Sequence, residues 1–120
     1  MATRLVQITM KAHDDAALGR FWAQALGWEI SSEGPGVTNL EPQGFVYPDP
    51  VAVCIDLVAS TEPKTAKNRV HVDVSTPEEK KQAEVERLTA LGARLLWVTS
   101  DRGPTTYTMQ DPEGNEFCLH

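Results

Sequence analysis

The sequence predicts an α+β fold in which a strand-helix-strand-strand-strand unit occurs twice. Two observations support this prediction. Segments of period two, which are typical of strands, are interrupted once in each half by a segment of helical period. Short matches also recur between the two halves in the same order along the chain. Each match is weak alone, but four in order indicate a duplicated domain.

The first half opens with residues 5–10, which alternate between apolar and polar side chains as a half-buried strand does. Gly27 lies where a helix would end, because glycine tolerates the left-handed conformation that often follows a last helical turn. A breaker-rich loop covers residues 41–50. The predicted elements are a strand at 5–10, a helix from Asp14 or Asp15 to about Ala25, and strands at 28–30, 37–40 and 51–58.

The second half follows a polar loop at residues 61–68 and repeats the order. Its first strand, residues 69–74, alternates strictly, with His71 among the polar positions. Thr76 is expected to cap the helix, with Pro77 in its first turn. The predicted elements are a strand at 69–74, a helix with Val85, Leu88 and Leu91 on its buried side, and strands at 93–99, 105–110 and 115–119. We therefore expect one domain with module one at about 1–60 and module two at about 68–120.

The four matches between the halves also pair candidate functional residues. They align residues 6–10 with 70–74, 25–27 with 90–92, 41–44 with 111–114, and 55–57 with 117–119. The length differences fall in loops, where insertions cost little free energy. The alignment superposes Gln7 on His71 and Asp56 on Cys118.

Charge and composition limit the partners. The chain has 17 Asp and Glu against 11 Lys and Arg, a net charge of −6. Nucleic acid and anionic membranes are recognised by clustered Lys and Arg, so neither is expected as a partner. No apolar run reaches the roughly 18 residues of a membrane span. The two cysteines and the lack of an export signal indicate a cytoplasmic protein.

The paired residues predict a site. If each half forms a curved sheet with its helix outside, the faces opposite the helices line a shared hollow. Gln7, Asp56, His71 and Cys118 then place an amide, a carboxylate, an imidazole and a thiol around it. Such donors, held on rigid strands, suit a divalent metal. Asp73 lies beside His71 and can hydrogen-bond to it.

Three motifs carry a resemblance to a known family. They are the Phe-Trp pair at 21–22 with Leu-Gly-Trp at 26–28, the segment KNRVHVDV at 67–74, and the segment DPEGNEFCL at 111–119. The chain resembles, over essentially its whole length, the vicinal oxygen chelate superfamily of glyoxalases, bleomycin-resistance proteins and dioxygenases. It is most similar to the small glyoxalase-like proteins common in actinobacteria.

The resemblance implies two βαβββ modules that form a curved, incomplete mixed β-barrel with helices outside, often in a homodimer. It also implies that metal ligands come from the first and last strands of each module, at Gln7, Asp56, His71 and Cys118. The last position is a glutamate in the enzymes, where it also moves the proton. A thiol at Cys118 removes that base, so no catalytic residue is assigned.

Three functions remain open at this point, and catalysis is undecided. The favoured one is a small-molecule-binding protein without a cofactor, taking an antibiotic or metabolite in a cavity between the modules. Its ligand-binding residues would be Gln7, Asp56, His71, Asp73 and Cys118. The second is a metal-dependent lyase or isomerase that holds Zn, Ni, Fe or Mn with Gln7, Asp56 and His71. The third is an interaction module with a vestigial cavity.

Overall fold

The predicted strand-helix-strand-strand-strand order occurs once in each of two units, residues 1–63 and 64–120, in the computed structural model of the protein. The structure describes residue 3 and residues 5–46, 53–100 and 103–120. Module one consists of β1 (Gln7–Ala12), α1 (Asp15–Leu26), β2 (Glu29–Gly34), β3 (Val37–Glu41) and β4 (Cys54–Ala59). Module two consists of β5 (Val72–Val74), a 3-10 turn (Glu78–Lys80), α2 (Lys81–Leu91), β6 (Arg94–Thr99), β7 (Thr106–Gln110) and β8 (Glu116–Leu119).

The two sheets have the same topology. Their strand orders are β1-β4-β3-β2 and β5-β8-β7-β6. In each sheet the first and last strands of the module run parallel, and the other neighbours are antiparallel. A register shift also interrupts the second strand of each module, between Ile30 and Ser32 and between Leu95 and Trp97. These features confirm the α+β class and the duplicated βαβββ unit.

Helix α1 matches its sequence signals. The Asp14 carboxylate caps it by accepting a hydrogen bond from the Ala17 N–H at 3.0 Å. Gly27 ends it in the left-handed region at φ 68°. A Cβ atom on Gly19 would lie 2.6 Å from Thr38 Cγ2, so glycine allows the helix to approach β3 closely.

Helix α2 starts differently from the prediction. It begins at Lys81, after the 3-10 turn, and no side chain caps it. Thr76 as its cap is therefore wrong. Pro77 has extended backbone angles, φ −53° and ψ 143°, so helical geometry starts only after it. Val85 and Leu88 are buried as predicted.

The first strand of each module is shorter at its start than predicted. Strand β1 begins at Gln7, which pairs with Cys54 at the start of β4. Strand β5 begins at Val72, which pairs with Phe117. Val6, just before β1, still accepts a hydrogen bond from the Cys54 N–H at 3.1 Å. Residues 69–71 belong to no strand pairing in the described part of the chain, and Val70 is 84% exposed. Residues 47–50 of the predicted loop and residues 51–52 of one predicted strand lie outside the described residues.

One face of each sheet packs against the module's own apolar residues. In module one the buried set includes Leu18, Phe21, Trp22, Leu40, Ile55 and Leu57. In module two it includes Val85, Leu88, Met109, Phe117 and Leu119. Because side chains alternate along a strand, the residues between these buried positions point to the opposite face, here called the open face. Among the described residues, no helix is long and apolar enough to cross a membrane.

Candidate functional site

The open face of module one carries a row of polar side chains across all four strands. Strand register places Thr9 beside Asp56, Asp56 beside Asn39, and Asn39 beside Ser32. Residues paired in this way point to the same side of a sheet. Asp56 was predicted from the sequence, whereas Asn39 was not. No sequence signal singled it out, because Asn39 gains its role only when strand register places it beside Asp56.

Asp56 is the centre of a hydrogen-bond network. Gln7 Nε2 donates to Asp56 Oδ2 at 2.9 Å, and Asn39 Nδ2 donates to Oδ1. Ser31 Oγ donates to Asn39 Oδ1, and Cys54 Sγ lies 3.4 Å from Gln7 Oε1. Both carboxylate oxygens therefore face amide N–H groups, and the side chain is fixed in place.

This network borders an open concavity of about 360 Å³. It is lined by Gln7, Ser31, Ser32, Val37, Asn39, Glu41 and Asp56. Most of the lining is polar and uncharged, with two carboxylates. Such a surface can exchange hydrogen bonds with a polar ligand, because amide and hydroxyl groups both donate and accept.

The corresponding row in module two has a different character. Register places Asp73 beside Cys118, Cys118 beside Thr108, and Thr108 beside Trp97. Trp97 is 47% exposed, and the Lys67 ammonium lies 5.3 Å from its ring centroid. This tryptophan therefore lies on the open face rather than in the core.

Three predicted residues meet in module two. His71 Nε2 lies 3.1 Å from Asp73 Oδ1. One donor atom from each of His71, Asp73 and Cys118 lies within 4.8 Å of the other two. The Cys118 thiol also lies 3.5 Å from Thr108 Oγ1. An imidazole, a carboxylate and a thiol at this separation can bind a metal ion together.

His120 joins this cluster, although the sequence did not assign it a role. Its Nε2 lies 2.9 Å from the same oxygen, Asp73 Oδ1, and its Nδ1 lies 3.4 Å from Thr106 Oγ1. The signal was present in the spacing, because a residue two positions after Cys118 points to the same face of the sheet.

Glu116 forms a charged pair beside the cluster, two residues before Cys118. Lys64 Nζ lies 3.2 Å from its Oε1 and 3.1 Å from its Oε2. Burial alone would raise the pKa of the Glu116 carboxyl. The hydrogen bond from Lys64 and the backbone donors outweigh burial, so this pKa lies below its ordinary value.

A larger cleft of about 700 Å³ lies at one end of the module-two sheet. It is lined by Ser75, Thr76, Glu78, Lys81, Thr99, Pro104, Thr106 and His120. Lys81 is only 5% exposed. Its ammonium donates to the Thr105 carbonyl at 3.0 Å and pairs with Glu78. This cleft has no signal in the sequence, because it is formed by chain segments far apart along the chain.

The structure thus brings together parts of the predicted set. Gln7 meets Asp56 in module one, and His71 meets Asp73 and Cys118 in module two. The predicted metal-ligand set of Gln7, Asp56 and His71 draws on both modules. In module one, Asp56 is already bonded to two amide groups, which are weak metal ligands compared with imidazole and thiolate.

Comparison with known proteins identifies the family. A family model described as a glyoxalase-like domain matches residues 7–120. The chain belongs to this family. None of the curated proteins matches it by sequence.

Solved structures with the same fold include a member of the glyoxalase/bleomycin-resistance/dioxygenase family. A family enzyme from Burkholderia phytofirmans PsJN superposes with a TM-score of 0.78 at 18% identity, covering 98% of this chain and 97% of that one. A fosfomycin resistance protein from Listeria monocytogenes superposes with a TM-score of 0.75 at 19% identity, covering 100% of this chain and 90% of that one. The oxidase ChaP-H2 superposes with a TM-score of 0.71 at 21% identity, covering 99% of this chain and 93% of that one. At these identities the likeness concerns the fold.

Proposed function

We propose that this glyoxalase-like protein binds a small organic molecule on the polar open faces of its sheets. The observation that carries the proposal is the environment of Asp56. Its carboxylate is held by Gln7 and Asn39 at the wall of a concavity. Fixing a polar group in advance lowers the entropy cost of ligand binding, which is typical of a recognition site.

The chemistry of this wall favours a ligand with hydroxyl, amine or amide groups. Asp56 can accept from such groups, while Asn39 and the serines at 31 and 32 can both donate and accept. An antibiotic or a metabolite meets this description. The Listeria neighbour, a fosfomycin resistance protein solved with Mn(II) and a dihydroxypropylphosphonic acid, supports the antibiotic option by analogy.

A thermal-shift screen of antibiotics and metabolites tests the proposal. A compound present at about 100 times its Kd stabilises the folded state by about 2.7 kcal/mol, which raises the melting temperature measurably. We expect at least one compound to do so with the wild-type protein. Asp56→Asn should remove the shift, whereas Glu33→Gln on the exposed edge strand should keep it. A compound that shifts both variants equally would contradict a role for Asp56.

A metal-dependent lyase or isomerase is the second candidate, with Gln7, Asp56 and His71 as the expected ligands. The cluster around His71 in module two favours it over an interaction module. Adding Zn²⁺, Ni²⁺, Fe²⁺ or Mn²⁺ to chelator-treated protein should then raise its melting temperature. His71→Ala should abolish this rise and cost less than about 1 kcal/mol of stability, since the side chain is 47% exposed. No rise with any of the four ions would exclude this candidate.

We also propose a cytoplasmic homodimer. Both cysteines are free thiols, as a reducing compartment requires. The edge strand β6 exposes Leu95, Trp97 and Val98 at 40%, 47% and 50%. Exposed apolar residues on an edge strand are a common basis for association. Light scattering after size-exclusion chromatography should give twice the chain mass, and Val98→Lys should shift it toward the monomer.

A further inference from the structure

We propose that module two alone forms a zinc site, with His71, Asp73, Cys118 and His120 as its four ligands. The proposal goes beyond small-molecule binding and does not depend on it. It also differs from the expected metal set, because it needs neither Gln7 nor Asp56. Two of its members, Asp73 and His120, lie outside the metal-ligand positions that the family resemblance implied.

Donor atoms of His71, Asp73 and Cys118 already lie close together, and His120 lies beside the Asp73 carboxylate. Both imidazole Nε2 atoms approach the same carboxylate oxygen, His71 at 3.1 Å and His120 at 2.9 Å from Asp73 Oδ1. The Cys118 sulfur lies within 4.8 Å of the His71 and Asp73 donor atoms. Tetrahedral zinc with bonds of about 2.0–2.3 Å holds its ligand atoms roughly 3.3–3.7 Å apart. The four residues lie on the same face of the sheet, so side-chain rotations can bring their donor atoms to these separations.

The donor set selects zinc among common ions. Two imidazoles, one thiolate and one carboxylate combine nitrogen, sulfur and oxygen ligands, which zinc binds in four-coordinate sites. Magnesium, calcium and manganese prefer sites built from oxygen ligands. The thiol at position 118, which weakens the case for a proton-moving base, strengthens the case for zinc. A cysteine at position 118, where the family's enzymes have a glutamate, therefore favours zinc binding over proton transfer on this face.

Groups around the ligands can orient them. When zinc takes Nε2 of His120, the proton of the neutral ring resides on Nδ1, which faces Thr106 Oγ1 at 3.4 Å. Thr108 Oγ1 lies 3.5 Å from the Cys118 sulfur and can donate to the thiolate. Such contacts fix the orientation of metal ligands. The side chains of His71, Asp73 and His120 are 47–55% exposed, so an ion can reach them.

The full-length protein, treated with chelator and then titrated with Co²⁺, tests the site. Cobalt substitutes for zinc and reports its ligands by colour. We expect one equivalent to bind with the visible bands of a tetrahedral ion and a near-ultraviolet thiolate-to-cobalt band, both displaced by Zn²⁺. Cys118→Ser should abolish the thiolate band, and Cys54→Ser, which changes the other cysteine, should retain it.

Affinity measurements then separate this site from the alternatives. His120→Ala and Asp73→Asn should weaken Zn²⁺ binding by about tenfold or more, whereas the matched histidine variant His13→Ala should not. Gln7→Ala and Asp56→Asn should bind Zn²⁺ like the wild type. Circular dichroism of each variant checks its folding. Loss of binding in the Gln7 or Asp56 variants would support the two-module set and overturn the proposal, as would a wild-type protein without a thiolate band. Failure of the ligand screen leaves these outcomes unaffected, because Asp56 does not take part.

Discussion

Module one and module two have the same backbone topology but carry different side chains on their open faces. Matching positions on the open faces, named in the order module one then module two, are Thr9 and Asp73, Asp56 and Cys118, Asn39 and Thr108, and Ser32 and Trp97. Amide groups surround a carboxylate in the first module. Imidazoles surround a carboxylate beside a thiol in the second.

This difference shows that the buried face and the open face of each sheet are constrained differently. The buried face keeps apolar residues at matching positions, such as Leu57 and Leu119, since a one-residue slip would expose the core. The open face does not set the register, so its side chains can change without loss of the fold. Function can therefore differ between the halves while their topology stays the same.

The largest expected effect concerns two tryptophans, one from each module. Trp22 is 1% exposed and Trp97 is 47% exposed. Trp22→Ala should lower the free energy of unfolding by about 3–5 kcal/mol, because it leaves a large cavity. Trp97→Ala should cost less than about 1 kcal/mol. Urea denaturation measures both. Equal losses would mean that the open face of module two is as buried as the core of module one.

The next effect concerns the matching turns at 41–44 and 111–114. Asp111 is 3% exposed, and its Oδ1 accepts the N–H groups of Glu113 and Asn115, each at 2.9 Å. Asp111→Ala should cost about 1–3 kcal/mol, because backbone donors lose their acceptor. Glu41→Ala, at the matching position, should stay within about 0.5 kcal/mol. Chemical denaturation again provides the measurement, and a costly Glu41→Ala would remove this contrast.

The dependence of stability on acidic pH should differ between the modules at another pair of matching positions. Module two has Glu116 where module one has Cys54. The pKa of Glu116 is lowered in the folded state. Its pair with Lys64 therefore stabilises the fold at pH values above about 4.5, the ordinary pKa of a glutamate. This stabilisation is lost as the pH falls through the lowered pKa. Lys64→Met should cost about 1–2 kcal/mol at neutral pH, and the difference from the wild type should shrink below about pH 4.5.

Unfolding by urea at several pH values measures this effect. Lys67→Met is the matched control, because Lys67 contacts the exposed Trp97 ring and no carboxylate in the described part of the chain. Its small effect should not follow the titration of Glu116. A Lys64→Met difference that stays constant with pH would show that the pair does not account for the lowered pKa.

The smallest effect concerns the helix starts. Asp14 caps α1 with its side chain, whereas Lys80 precedes α2 without a side-chain cap. Asp14→Ala should cost about 1 kcal/mol, and Lys80→Ala should change stability by less than about 0.5 kcal/mol. Thermal unfolding followed by circular dichroism can resolve the two. If the second substitution costs as much as the first, Lys80 caps its helix in some other way.

Much of the fold could be predicted because its signals are local or periodic. The cap at Asp14, the stop at Gly27 and the alternation along strands all depend on neighbouring residues. The start of β5 could not be predicted in the same way. Residues 69–71 alternate as well as residues 72–74 do, but only the latter lie opposite β8. Strand length depends on the partner strand, which alternation does not reveal.

The candidate site was predicted in part for a similar reason. The repeat identified first-strand and last-strand positions, which is why Gln7, Asp56, His71 and Cys118 were found. Asn39 and His120 were missed because their importance comes from hydrogen bonds across strands. Each is an ordinary polar residue until register places it beside an acidic partner.

Every strand pairing of the described residues joins two strands of the same half. A break in the chain between Pro63 and Lys64 would therefore cut one peptide bond and none of the ladder hydrogen bonds of the described strands. Two separately expressed fragments could each form their own sheet and be mixed afterwards. Residues 1–63 and 64–120 are thus the natural fragments for testing whether each half folds on its own.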